Sequence, residues 1–222
     1  MCGRFTLRAP SAAVAKEFGL FDLPELAPHF NIAPGQSVAI VRQNAAAKKR
    51  EFVQVHWGLI PSWASDPKIG DRMANARSET AAMKPSFRSA FKSRRCLIVA
   101  DGFYEWQKTE GKKQPHFIGM KDSRPFGIAG LWERWEKGEA PVESCAILTT
   151  GVNALMEPIH ERMPVILSHK QFDQWLNPDF KDADTLMGMM QPYKAKDMLA
   201  YAVSLRVNNP KNDTANCVEP MK

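Results

Sequence analysis

No apolar run in this 222-residue chain approaches the length of about 20 residues that a helix needs to cross a bilayer. The longest candidates, "CLIVA" and "CAILTT", are the size of core strands. Arg4, Arg8, Lys16 and Glu17 interrupt the amino-terminal segment, which has no apolar stretch behind a basic one. This argues against a secretory signal and sets the expectation of a cytoplasmic protein. Cysteine is scarce. The four residues, at 2, 96, 145 and 217, form no CxxC pair. With the five histidines (29, 56, 116, 160, 169) they show no metal-ligand spacing, so neither a disulfide framework nor a metal or other cofactor is expected. Low-complexity tracts, internal repeats and long linkers are also missing, which points to one domain. Charge of one sign is only mildly in excess. A formal net charge of +6 permits a polyanionic partner without establishing one.

What is present reads as alternating short elements. "PSAAVAKEFGL" fits a helix with Ser11 as N-cap and Gly19 as its stop. "NIAPGQSVAIVR" places a Pro-Gly turn of type II before a strand, and "REFVQVHWGLI" alternates as that strand's partner, with "NAAAKKR" connecting them. From "PSWASDPKIG" to "NARSET" the periodicity breaks down into a long irregular segment, the kind of ordered loop that often carries function. Short helices follow over 78–92. Strands are expected in "RRCLIVADGFYEWQK", "QPHFIGM", "PFGIAGLWERW", "VESCAILTT" and "MLAYAVSLRV", with helices at 169–176 and 182–190. The fold class this implies is α+β: a single domain with a curved, mainly antiparallel sheet or barrel-like core and short peripheral helices.

Three segments put polar residues where structure alone does not require them. These are "MANARSET" with Asn75 and Arg77, "ADGFYEWQ" with Glu105 and Trp106, and "MEPIHERMPVIL" with His160 and Arg162. Each has a plainer reading as a turn residue, an exposed strand position, a surface histidine or solvated charge. Cys96 and Cys145 read as buried small hydrophobes in strands. Cys2 lacks that strand context. It stands directly behind the initiator methionine, whose removal would give one residue a free α-amine and a thiol.

The ordered set "MCGRF", "NIAPG", "WGLIPSW", "NARSET", "ADGFYEW" and "IHERMP", extending to "VNNPKNDTANCVEP", closely resembles the SOS-response-associated peptidase, or SRAP, family, whose members shield abasic sites in DNA. The resemblance covers essentially the whole chain and implies a single SRAP-like domain over residues 2–222, with Met1 removed. It implies Cys2, Asn75, Glu105 and His160 as active residues and Arg4, Arg77 and Arg162 as contacts to DNA phosphates. It also sets Trp106 and Trp63 on the DNA-facing surface. The implied partner is single-stranded DNA containing abasic sites, bound by a monomer that is associated with the nucleoid when DNA is damaged.

The chemistry expected of those residues follows from the lesion. A ring-opened abasic site is an aldehyde, and an α-amine of pKa about 7.7–8.0 keeps a neutral fraction near pH 7 that lysine lacks. Imine formation at Cys2 would bring its own thiol to the imine carbon, and closure would give a thiazolidine. Glu105 is assigned proton transfer, His160 the sugar oxygen, and Asn75 hydrogen bonding. Two alternatives remain. One is a Cys2-dependent thiol peptidase or autopeptidase assisted by His160. The other is a passive single-strand binder in which Cys2 is structural.

Overall fold

The computed structural model describes residues 2–21, 23–44 and 49–221; Met1 and most of the "NAAAKKR" connection lie outside them. The chain enters through β1 (Phe5–Leu7) and α1 (Ser11–Phe18), whose Val14 and Phe18 face the core. Gly19 ends α1 in the left-handed conformation (φ 63°), as its position predicts. Ser11 does not cap it. The cap position is Pro10, and the Ser11 hydroxyl instead donates to the Pro24 carbonyl (3.0 Å) and accepts from the Leu26 N–H (2.9 Å), stapling the following loop. β2 (His29–Ile32) pairs with β1 and leads into the Pro-Gly turn, where Gly35 takes φ 89° as the third residue of a type II turn requires.

β3 (Ser37–Asn44) and β4 (Lys49–Trp57) form the expected antiparallel pair. The segment after them is less irregular than its composition suggests. A 3₁₀ turn at Pro67–Arg72 is followed by a short strand, β5 (Asn75–Arg77), and by α2 (Ser78–Ala81) and α3 (Arg88–Ser93). β6 (Arg95–Ala100), β7 (Gly102–Thr109), β8 (Lys112–Met120), β9 (Phe126–Trp135) and β10 (Val142–Thr150) supply the long strands. Two-residue strands β11 (Met163–Pro164) and β12 (Ile166–Leu167), helices α4 (Phe172–Leu176) and α5 (Ala183–Met189), and β13 (Met198–Ala202) complete the order. The last strand stops earlier than "MLAYAVSLRV" suggests, because Leu205–Asn208 winds into a 3₁₀ turn capped by Ser204.

Strands β4, β3, β6, β9 and β10 close on one another as a five-stranded barrel. The β10–β4 seam is parallel, the one junction in that ring that is not antiparallel. An open sheet in the order β13, β8, β7, β1, β2 lies alongside it. Both expectations for the middle cysteines hold: Cys96 and Cys145 are buried within β6 and β10.

Barrel and helices are tied by a buried cation with no carboxylate partner among the described residues. Arg95, 2% exposed, donates to the carbonyls of Trp175 (2.7 Å), Phe91 (2.7 Å), Lys92 (2.9 Å), Phe180 (3.0 Å) and Asn177. These carbonyls lie at the ends of α3 and α4 and in the turn beyond, where positive charge is favoured. Burial pulls the guanidinium down to about 10. Arg95→Leu is expected to cost at least about 3 kcal/mol, since several buried acceptors lose their donor together. Arg95→Lys should recover only part of it, because an ammonium cannot span the five carbonyls. Urea unfolding midpoints of the two variants check both.

Candidate functional site

The amino terminus is placed by backbone pairing. β1 runs antiparallel to β7, with Phe5 opposite Phe103 and Thr6 opposite Gly102, and Tyr104 N–H donates to the Arg4 carbonyl (2.9 Å). That direction carries residues 2–4 along Tyr104 and Glu105. Asp101, itself buried, anchors the far end of β1 by accepting from the Thr6 hydroxyl (2.5 Å), the Arg8 N–H (2.5 Å) and the Ala9 N–H (2.7 Å). Phe5 packs on Trp57 with ring centroids 5.0 Å apart. Cys2 is completely buried despite lying outside any strand, and its Sγ lies 4.0 Å from the Arg4 carbonyl. Burial, and then the nearby charge of Glu105, push its thiol well above the ordinary range.

Glu105 is the feature that departs most from a plain strand. An exposed position between aromatics would leave its carboxyl in water; instead it is 2% exposed. Burial raises it to about 7 from an ordinary 4.5. His160 faces it, Nε2 to Oε2 at 3.7 Å. The loop carrying His160 is fastened to β7 by Gln107, whose side-chain amide donates to the Pro158 carbonyl (3.0 Å). His160 Nδ1 lies 3.0 Å from the Arg162 N–H and 3.1 Å from the Arg162 carbonyl, so the Arg162 backbone holds the ring at Nδ1 and leaves Nε2 turned toward the carboxylate. Burial lowers the basicity of this imidazole. One pair is thus built from an acid made weaker and a base made weaker, and protons pass between such groups near neutrality. Glu105, His160, Trp106, Lys108 and Lys113 line an open cleft of about 290 Å³.

Asn75 stands on the barrel and is linked to β1 through its neighbour Ala74 and Trp57. The Trp57 indole, already against Phe5, donates to the Ala74 carbonyl (2.8 Å), and β5 pairs in parallel with β10, Asn75 beside Ile147 and Arg77 beside Thr149. The Asn75 Oδ1 is buried and meets no donor among the described residues, an acceptor turned inward. Thr149 also accepts from Arg162 through its carbonyl (2.6 Å), so Arg77 and Arg162 share one end of β10. Their states differ. Arg77 is exposed and pairs with no described carboxylate. Arg162 is held by Glu79 in a two-pronged ion pair, Nη1–Oε1 2.5 Å and Nη2–Oε2 2.9 Å.

Arg4 is likewise partly committed. Its Nη1 donates to Asn31 Oδ1 (2.8 Å) and to the Val207 carbonyl (2.6 Å), while the guanidinium lies 5.8 Å from the Trp106 ring centroid. Asn31 completes this tie by donating to the carbonyls of Val207, Asn209 and Asn212. The carboxyl-terminal segment is thereby bound to the amino terminus. Trp106 is fixed at its indole N–H by Asn208 (2.7 Å). Trp63, about half exposed, lies apart from the Glu105–His160 cleft, beside Pro85 and Lys137. Among the described residues no group of His, Cys, Asp and Glu could hold a metal ion, and no helix is long and apolar enough to cross a membrane. Sequence reasoning passed over Asn31 and Glu79, although both stand inside quoted motifs. A polar residue that becomes buried or paired leaves no periodic signal.

The profile of the family described as SOS response associated peptidase (SRAP) matches residues 1–210. A Bacillus subtilis protein named abasic site processing protein YoqW is 45% identical over 224 residues, covering 99% of both chains. The Gallus gallus protein named abasic site processing protein HMCES is 33% identical, covering 88% of this chain and 67% of its own length. A crystal structure of a Bacteroides thetaiotaomicron protein superposes with a TM-score of 0.85 at 25% identity over the full length of both chains. One from Bordetella bronchiseptica gives 0.79 at 28% identity, covering 92% of this chain and all of that one. The amino-terminal cysteine, the buried carboxylate and the histidine facing it thus sit on a shared fold in a matching sequence: the chain belongs to the SRAP family.

Proposed function

We propose that this protein binds and shields abasic sites in single-stranded DNA and that, once Met1 is removed, Cys2 captures the lesion covalently. The observation that carries this reading is the buried Glu105 carboxyl, poised near pH 7 between the Cys2 segment and His160. The neutral α-amine attacks C1′ of the open-chain aldehyde to give a carbinolamine. Protonation of its hydroxyl by Glu105 releases water and leaves an iminium. The Cys2 sulfur then adds to the iminium carbon. An S–C bond forms, the C=N π pair returns to nitrogen, and the S–H proton passes to the Glu105 carboxylate. The product is a thiazolidine, formed with the net loss of one water. His160, with its Nε2 facing the site, protonates or deprotonates the sugar oxygen as the ring opens. Asn75 offers its inward acceptor to a sugar hydroxyl or the amine, and Arg77 offers an uncommitted fork to phosphate.

The thiol's surroundings fit this route better than a peptidase. A cysteine peptidase works through a thiolate, usually beside an imidazolium. Here burial and a neighbouring carboxylate both oppose the thiolate, and the imidazole is held neutral. Addition to an iminium needs no standing thiolate, because the proton leaves as the bond forms.

The test is intact mass after mixing the protein with a single-stranded oligonucleotide bearing one abasic site. Processed protein should yield an adduct equal to the summed masses less one water that survives denaturation. Cys2→Ala and Met1-retaining chains should yield none. No adduct from processed protein would remove the covalent mechanism. Equal, reversible binding to intact and abasic strands would leave a passive binder.

A further inference from the structure

We propose that Glu79 is a built-in competitor of DNA phosphate for Arg162, so that this arginine becomes available only by exchanging one anion for another. The inference rests on the abasic-DNA reading above and adds a residue to it. Arg162 is only 15% exposed at its side chain, whereas Glu79 is 53% exposed. Nη1 and Nη2 both donate to the Glu79 carboxylate, and Nη2 donates again to the Thr149 carbonyl. Nε is buried and has no acceptor among the described residues. The fork that recognises a phosphate is therefore filled, and the outward-facing end of the pair is the carboxylate. An approaching strand meets negative charge first.

The exchange is feasible in both directions. Thr149 holds the guanidinium in place when Glu79 leaves, so the displaced partner is the carboxylate and not the arginine. Glu79 also lines an open cleft of about 340 Å³ with Ser78, Thr150, Gly151, Met187 and Met190, so the released carboxylate returns to water. Arg162 holds Glu79 below the usual carboxylate range, which keeps the competitor charged at working pH. Arg77, two residues away and uncommitted, gives the strand its first contact. Arg162 then adds little to a chance encounter with one phosphate and counts when the strand is seated. The consequence is also electrostatic. A guanidinium already neutralised by Glu79 adds little to counterion release, so this phosphate contact should be nearly silent in the salt dependence of binding.

The test uses a single-stranded oligonucleotide with a tetrahydrofuran abasic analogue, which has no aldehyde and cannot be captured by Cys2. Affinity is read by fluorescence anisotropy across a salt series for wild type, Glu79→Gln, Arg162→Gln and the double variant. Glu79→Gln should bind about three- to tenfold more tightly at low salt, with log affinity falling more steeply with log salt by about 0.7. That gain should vanish in the Arg162→Gln background. Affinity equal to or below wild type would overturn the proposal and make Glu79 a residue that merely orients Arg162. A gain that persists without Arg162 would also overturn it, as a general effect of removing one negative charge. A wild-type chain with no affinity at any salt would instead remove the abasic-DNA reading, and this role with it.

Discussion

Cys2→Ser, with Met1 removed, is expected to lose at least about a hundredfold of the adduct that survives denaturation while keeping the ability to form an imine. The substitution preserves the α-amine and changes one atom. Serine fits the site: Cys2 is completely buried, and a hydroxyl in its place would lie near the Arg4 carbonyl that the thiol now approaches at 4.0 Å. What is lost is the second nucleophile. A hydroxyl adds to an iminium far less readily than sulfur and leaves the imine open to hydrolysis. Borohydride should therefore restore the Cys2→Ser adduct, by reducing the C=N bond, and should add little to wild type. A denaturing gel with and without borohydride reads both. Equal yields of stable adduct from the serine chain without reductant would refute ring closure, whatever the fate of the amine. Cys2→Ala gives the same electrophoretic pattern as serine if the hydroxyl contributes nothing.

The barrel was legible because its strands announce themselves. Val38 to Val41 and Cys96 to Ala100 are near-continuous apolar runs, and both prove buried on either face. Helix α1 was legible from its Gly19 stop, but its start was not, since Ser11 makes its hydrogen bonds to Pro24 and Leu26 in the next loop. β5 was invisible for a related reason. Its three residues are placed by contacts at Ala74, whose carbonyl accepts from both the Trp57 indole and the Ile147 N–H of β10, a tertiary cause with no local pattern. At the site, residue types and motif order singled out Cys2, Glu105 and His160; Glu105 and His160 line one cleft, and Cys2 is buried close enough for the Glu105 charge to act on its thiol. Their electrostatic states were not legible. Whether Glu105 is exposed or buried decides whether it is a solvated charge or a proton carrier, and its position between aromatics fits either. The arginines carry the same lesson: Arg4, Arg77 and Arg162 look alike in sequence, yet one is tied to Asn31, one is uncommitted and one is paired with Glu79.

Glu105→Gln is expected to move activity and stability in opposite directions. A buried carboxyl raised to about 7 from 4.5 binds its proton more tightly in the folded chain than in the unfolded one. Folding stability therefore declines as pH rises through that window, and the cost of ionising the buried group is fully present above about pH 7. Its size is on the order of 3 kcal/mol. Glutamine has the shape of the protonated acid and cannot ionise. The variant should match wild type below about pH 4.5, exceed it in stability at pH 8 by that order, and lose this decline between the two. The same change removes the proton carrier, so cross-linking at neutral pH should slow by about 10²–10³-fold. The wild-type rate should carry a falling limb near pH 7, where Glu105 loses the proton it delivers to the carbinolamine hydroxyl, and the variant should lack that limb, since His160, lowered by burial, is already largely neutral there. Chemical denaturation at several pH values and single-turnover capture of abasic DNA measure the two effects. A purely structural Glu105 would lose stability together with rate. A carboxyl placed for chemistry would lose rate alone, because its burial is unfavourable to the folded state once it ionises.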